Sequence, residues 1–287
     1  MGLPCWSAGG RPAGFFRTTS PVMLKVGALG VVAALALTGC AGVSPMVPVR
    51  FQTAGGRFEV SLSRGVVKEF ARHQFALRRL TEEDLARIGK LLPGPATTIA
   101  VTVGDPDQIL SQIGATGFTD PETGAITIGL FRYWAQEPPD VIRELARTLA
   151  REVNGSVRVT LGVGLGKTLL GRLVTYGIAT AFDQSAFPGP PDPWVDELSA
   201  KQECRQWRHL EPLLTTVGTH GQVLVVRSAN SAIPGKFSLP QLPDLAIGYR
   251  IVADYLARTQ GVSWATLVDT PAQTIFRASG YAPCPAG

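Results

Sequence analysis

Residues 138–183 read PPDVIRELARTLAREVNGSVRVTLGVGLGKTLLGRLVTYGIATAFD and predict two consecutive helices. The first opens at Pro138-Pro139-Asp140 and closes at Asn154-Gly155, because proline suits a first helical turn and glycine suits an end. Its apolar residues recur at the spacing of one helical face; they are Val141, Ile142, Leu145, Leu149 and Val153. The second helix covers residues 167–183, and strand-like residues 157–160 lie between the two.

A glycine-rich segment joins the two predicted helices. Its sequence, Gly162-Val-Gly-Leu-Gly-Lys167-Thr168, follows a strand-like stretch and precedes a helix, as a phosphate-binding loop does. The spacing departs from that motif because Leu161 stands where its first glycine is required. A loop that caps the second helix explains the segment better, and we expect no nucleotide.

The flanking sequence adds further helices and a small sheet. The β-branched run Thr97–Val103 and residues 125–131 predict strands. Thr81, followed by three acids, is typical of an N-cap that opens a helix. Residues 245–257 are amphipathic, and Gly280 is placed to end a last helix. The sequence therefore predicts an α+β fold that is mainly helical, with a small sheet near its N-terminal side.

The N-terminal residues indicate export. Met23-Leu24-Lys25 supplies a start and a positive charge, and the apolar residues 26–37 are too few to cross a bilayer comfortably. They end in Leu37-Thr38-Gly39-Cys40, which resembles the lipobox of bacterial lipoproteins, where the thiol of the cysteine receives the lipid. The alternative is a short membrane anchor or a buried helix. Translation starts at Met1 or at Met23.

Three regions follow from this interpretation. Residues 1–39 are a leader with a lipoprotein signal peptide, residues 40–56 are a lipid-anchored tether, and residues 57–287 are a single domain. Two or three lipid chains on Cys40 would hold the protein firmly to a membrane. The residue that follows is Ala41 rather than aspartate, and resemblance to lipoproteins of diderm bacteria then implies the outer membrane, facing the periplasm.

Export places the domain in an oxidising compartment. Of the four cysteines, Cys5 would be removed with the leader and Cys40 would carry lipid. Cys204 and Cys284 remain and are expected to form a disulfide; the alternative is two buried free thiols.

Composition argues against disorder and against nucleic acid. The chain of 287 residues is 45% hydrophobic and 17% charged, which is too apolar for a disordered chain. Removing the three bases of residues 1–39 from the total of 27 leaves 24 bases against 22 acids. A balance so close to neutral, with scattered bases, is not the footprint of a nucleic-acid-binding protein.

Histidine is too scarce for a histidine-ligated metal site. The chain has only His73, His209 and His220, and no two of them have the spacing of a metal pair. No Gly-x-Ser-x-Gly nucleophile motif occurs either. We therefore expect no metal and no other cofactor.

Motifs spread over residues 126–281 nevertheless carry a family resemblance. They occur in the order Ile126-Thr-Ile-Gly129, Gly177-Ile-Ala179, Pro193-Trp194, Gly248-Tyr249, Thr270-Pro-Ala272 and Ser279-Gly-Tyr281. In this order they resemble a family of predicted zinc-dependent proteases of the gluzincin type. That resemblance implies a helix with His-Glu-x-x-His and a second helix with Glu-Gly-Leu-Ala.

The departures from this pattern fall on the metal ligands. Arg143 and Arg147 stand at the two histidine positions, and Tyr176 stands at the position of the glutamate ligand. A guanidinium stays protonated and has no lone pair for zinc. Glu144 keeps the position of the general base, but it would have no metal-bound water to deprotonate. The resemblance therefore implies a peptidase-like domain without peptidase activity.

Three interpretations of the substituted site remain open. Arg143, Arg147 and Glu144 could form an ion-pair cluster that replaces the metal as a link between helices. The two arginines and Tyr176 could instead form an anion pocket. In the third interpretation the motif is misaligned and the arginines face solvent.

The sequence as a whole favours a metal-free, catalytically inactive envelope lipoprotein that acts as a binding or scaffold module. Its expected partners are the membrane, through the lipid on Cys40, and an envelope protein or an anionic ligand. The alternatives are an envelope hydrolase that uses unidentified residues and a purely structural envelope lipoprotein.

Overall fold

The computed structural model describes residues 49–71, 74–103, 115–130, 138–192, 195, 198–217 and 243–284. Its strands are β1 (Val49–Thr53), β2 (Phe58–Leu62), β3 (Thr97–Val103), β4 (Ala115–Thr119) and β5 (Ile126–Leu130). Its helices are α1 (Arg64–Glu69), α2 (Gln74–Leu91), α3 (Pro138–Thr160), α4 (Leu169–Ala186), α5 (Ala200–Leu210), α6 (Pro243–Arg258), α7 (Trp264–Asp269) and α8 (Ala272–Ser279). The predicted α+β, mainly helical fold is confirmed.

Several sequence features lie outside the described residues. They include the signal peptide with Cys40, the Pro193-Trp194 motif, and the side chain of Arg143. Among the described helices, none combines the length and the apolar character that a membrane crossing requires.

The five strands form one mixed sheet in the order β1-β2-β3-β5-β4. Strands β2, β3 and β5 are parallel, whereas β1 and β4 run antiparallel to their single neighbours at the two edges. The predicted strand at Thr97–Val103 lies at the centre as β3, and residues 126–130 form β5. Among the described strands, β4 pairs with β5 alone and therefore lies at one edge of the sheet.

Residues 49–53, which were expected to belong to the tether, form strand β1 of the domain. Residues 40–56 were expected to link the lipid to the domain, but Val49–Thr53 pairs in register with Phe58–Leu62. Phe51 is buried beneath the helices, and this burial fixes the strand against the domain. The short turn at Ala54-Gly55-Gly56, which was read as tether, is the hairpin connection; all three residues have positive φ.

Helix α3 continues beyond its predicted end. Asn154-Gly155 does not close it, and residues 157–160 are helical rather than extended. The side chain of Val157 is buried, and the buried guanidinium of Arg158 donates to the carbonyl oxygen of Val268 at 2.7 Å. These tertiary contacts outweigh the low helix propensity of the glycine and of the β-branched residues that follow it.

Thr81 was expected to cap a helix but lies inside α2. Its side chain is buried, and its hydroxyl donates to the carbonyl oxygen of Leu77 at 2.7 Å. A threonine hydroxyl that bonds back to the preceding turn is compatible with a helix interior. The acids that follow Thr81 therefore lie in the middle of one helix of 18 residues.

Two glycines bring α4 and α6 unusually close together. A Cβ atom on Gly177 would collide with the carbonyl oxygen of Gly248, and a Cβ atom on Gly248 would collide with that of Leu173. No other residue type fits at this crossing without moving a backbone. The contact turns one face of α4 toward α6, and Tyr176, next to Gly177, is left exposed.

The C-terminal residues are tied back to α5. Cys204 and Cys284 form the expected disulfide, with their Cα atoms 4.7 Å apart. Nearby, the hydroxyl of Tyr281 donates to Glu203 at 2.7 Å. Gly280 ends α8 in the left-handed conformation, as predicted, with φ of 57°.

Candidate functional site

A cavity of about 870 Å³ opens between strand β4, helices α3 and α4, and the glycine-rich loop that joins them. We call it the β4–α3–α4 cavity. Residues 115–119 of β4 form one wall, and residues 162–167 of the loop form another. Because β4 is an edge strand, one edge of its backbone has no strand partner in the described sheet.

Helix α3 contributes a different set of residues to this cavity than the sequence suggested. Arg151, Glu152 and Gly155 line it, together with Tyr176 of α4. Neither Glu144 nor Arg147 is among the residues that line it. The structure therefore brings Tyr176 together with the segment Arg151-Glu-x-x-Gly155, which repeats the Arg-Glu pair of residues 143–144, and not with Glu144 or Arg147.

Arg147 is buried in an ion pair instead. Its exposed fraction is 1%, and its Nη1 atom lies 3.1 Å from Oδ1 of Asp192. Its Nη2 atom also donates to the carbonyl oxygen of Phe187 at 3.3 Å. Arg147 therefore lies against a carboxylate, as an ion-pair cluster requires, but the carboxylate belongs to Asp192 in the loop after α4 rather than to Glu144, the nearest acid in the sequence. An anion pocket made of Arg147 and Tyr176 is likewise not formed.

Arg151 extends the same ion-pair cluster to the cavity wall. Its Nη1 atom lies 2.5 Å from Asp183 and 3.2 Å from Asp192, and Nη2 donates to the hydroxyl of Thr148 at 3.1 Å. Burial disfavours its charged form, but the carboxylates of Asp183 and Asp192 outweigh burial, so the pKa of Arg151 is raised. Burial also raises the pKa of Asp183, and Arg151 opposes that rise.

Glu152 is the acid of the cavity. Its Oε2 atom accepts a hydrogen bond of 2.6 Å from the hydroxyl of Thr119 on β4. The carboxyl group also lies against Gly117, where a Cβ atom would collide with it. Burial raises the pKa of Glu152, although the bond from Thr119 and the charge of Arg151 act in the opposite direction. Its proton is therefore held more tightly than in water.

Sequence reasoning missed Arg151, Glu152, Asp183 and Asp192. One signal was present, because Arg-Glu occurs at 143–144 and again at 151–152. Nothing in the sequence marked Asp192, which lies in a proline-rich loop, as the partner of a buried arginine.

Comparison with known proteins identifies the family. A family model described as predicted Zn-dependent protease (DUF2268) matches residues 77–277, well over half of the chain. The chain belongs to this family. The resemblance found in the motifs of residues 126–281 is thereby confirmed. No curated protein and no solved structure matches the chain.

The residues around the cavity do not fit the zinc ion that the family name implies. Arg151 is a guanidinium bound to two carboxylates, and Gly155 has no side chain. Tyr176 is 42% exposed as a residue, yet partial desolvation raises the pKa of its phenol, which disfavours the phenolate that a metal would require. Within the described residues, no group of three or more His, Cys, Asp and Glu side chains could hold a metal, which is consistent with replaced ligands.

The ion-pair cluster predicts a large difference between two carboxylate substitutions. Asp192→Ala should lower the free energy of unfolding by about 3–5 kcal/mol, because it strands the buried guanidinium of Arg147. Glu82→Ala removes the exposed pair Arg78–Glu82 and should cost less than about 1 kcal/mol. Urea unfolding of both variants measures the difference. Equal costs would contradict a stabilising role for the buried cluster.

Proposed function

We propose that this protein is a cell-envelope lipoprotein whose peptidase-like domain holds no metal, does not cleave peptides and acts as a binding module. One observation carries the proposal. The position of α3 that faces the cavity at the start of the Arg-Glu-x-x pattern is Arg151, and its guanidinium is held by Asp183 and Asp192. A fixed cation of the protein then stands at the first ligand position of the family pattern.

The lining of the cavity supports assigning the degenerate site to residues 151–155 rather than 143–147. Arg151, Glu152 and Gly155 line the cavity together with Tyr176, which stands at the third ligand position. Of the earlier segment, Glu144 and Arg147 do not line it.

The catalytic consequences follow residue by residue. In the shifted assignment Glu152 takes the position of the general base, and Arg151, Gly155 and Tyr176 take those of the ligands. None of the three supplies the neutral imidazole or carboxylate that zinc prefers. Glu152 then has no activated water to deprotonate, and burial, which raises its pKa, reduces the fraction that is ionised at any given pH.

The open cavity favours a binding role over a purely structural one. A structural replacement of the metal would be expected to fill the site with packed side chains. Instead, the cavity keeps about 870 Å³, which is within the range of small-molecule sites. Phe118, Tyr176 and Val217 are exposed along its walls.

Metal analysis tests the proposal. The full chain, purified after growth with added zinc, should carry far less than one zinc per chain, and chelator should leave its melting temperature unchanged. A bound structural zinc would contribute on the order of 10 kcal/mol, so its removal could not pass unnoticed. Fluorogenic peptide libraries should show no chelator-sensitive cleavage. Stoichiometric zinc or a chelator-dependent melt would refute the proposal.

The envelope location rests on the lipobox at residues 37–40. We expect the wild-type chain to be lipidated on Cys40 and recovered with outer membranes of a diderm host. Cys40→Ser should accumulate as an unprocessed precursor without lipid, because the thiol is the acceptor of the lipid. Mass spectrometry of both proteins measures the outcome; a serine variant that is still cleaved before residue 40 would contradict lipidation at this site.

A further inference from the structure

Three of the large apolar side chains exposed on the described surface meet at the β4–α3–α4 cavity. Phe118, Tyr176 and Val217 are 60%, 42% and 64% exposed, and all three line it. They come from β4, from α4 and from the segment after α5, so the fold brings them together from distant parts of the chain. A cluster of exposed apolar side chains around a cavity is a common sign of a binding site.

The same cavity is lined by an arginine that has no bonding partner among the described residues. Arg172 lies one helical turn before Tyr176, on the same face of α4, and is half-buried. Its Nε atom is shielded from solvent without a hydrogen-bond partner. Within the described part of the chain, its guanidinium makes no hydrogen bond and no ion pair. A cation that is partly removed from water without a partner is costly, and an anionic ligand would offset that cost.

The other charges of the cavity decide which anion fits. Arg151 is engaged by two aspartates, so it is not available to a ligand. Lys167, which is exposed and also lines the cavity, adds a second positive charge. Glu152 lies in the same cavity and disfavours a doubly charged group such as a phosphate. A single carboxylate matches the planar fork of one guanidinium and carries only one charge.

We propose that the β4–α3–α4 cavity binds a molecule with one carboxylate attached to an apolar body. The carboxylate pairs with Arg172, and the apolar body packs on Phe118, Tyr176 and Val217. The inference deepens the proposed binding role and rests on it. The anion-binding role that the sequence suggested for Arg143, Arg147 and Tyr176 is assigned here to Arg172, while Tyr176 contacts the apolar body.

Three matched probes separate the charge from the apolar body: 4-phenylbutanoate, 4-phenylbutan-1-ol and 4-phenylbutan-1-amine. Calorimetry on the full chain should show that the acid binds most tightly, the alcohol about tenfold more weakly or worse, and the amine most weakly. Acetyl-Phe-Phe with a free carboxylate, compared with its amide, distinguishes a peptide terminus from a small acid as the source. Tighter binding of either acid supports the proposal.

Variants then identify the residue that pairs with the carboxylate of the ligand. Arg172→Gln should weaken the acid about tenfold or more and leave the alcohol nearly unchanged, because only the ion pair is lost. Phe118→Ala should weaken acid and alcohol alike. Arg208→Gln, an exposed arginine on α5 that does not line the cavity, is the matched control and should change neither.

Two results would overturn the inference. The first is a wild-type protein that binds acid and alcohol equally or binds neither acid. The second is an Arg172→Gln variant that behaves as Arg208→Gln does. Both are separable from a failure of the proposed function, because zinc content and peptidase activity are measured independently of these probes.

Discussion

Arg147 and Arg151 can be buried on one face of α3 only because Asp183 and Asp192 meet them there. Asp183 belongs to α4, and Asp192 belongs to the loop that follows it, so the cluster joins both to α3. Removing Asp192 would leave the buried guanidinium of Arg147 without a carboxylate, which is far more costly than losing an exposed pair. The cluster therefore fixes how α4 lies against α3, and the cavity wall that both helices form depends on that arrangement.

The close crossing of α4 and α6 is the second constraint on the cavity. Because Gly177 and Gly248 have no side chain, the two backbones lie so close that a Cβ atom at either position would collide with the backbone of the other helix. With this face of α4 against α6 and Asp183 held by Arg151, the rotation of α4 about its axis is determined. Arg172 and Tyr176 then share the remaining face, which is the one that lines the cavity.

Sequence reasoning succeeded where the signal is local. The β-branched run of β3, the glycine that ends α8 and the Cys204–Cys284 pair were all predicted and are present. It failed at β1, at the end of α3 and at Thr81, where burial and long-range hydrogen bonds override local preferences.

At the site, the sequence named the right family, but the cavity that Tyr176 lines is also lined by Arg151 and Glu152 rather than by Glu144 and Arg147. The segments at 143–147 and 151–155 both begin with Arg-Glu, and periodicity alone cannot tell which of them faces a cavity. That choice depends on Asp192, which pairs with two arginines of α3. Arg147 lies 45 residues before it in the sequence, and Arg151 lies 41 residues before it. A contact of this range leaves no trace in one sequence.

Restoring a zinc site tests the central claim most directly. Arg151→His, Gly155→His and Tyr176→Glu together place the family's three ligands around the cavity. A Cβ atom at position 155 would lie 3.1 Å from Oγ1 of Thr119 and 3.3 Å from Cδ2 of Leu165, and both side chains can shift. We predict close to one zinc per folded chain by mass spectrometry, and none for the matched variant with Arg143→His, Arg147→His and Tyr176→Glu. Zinc in the second variant but not in the first would contradict the account.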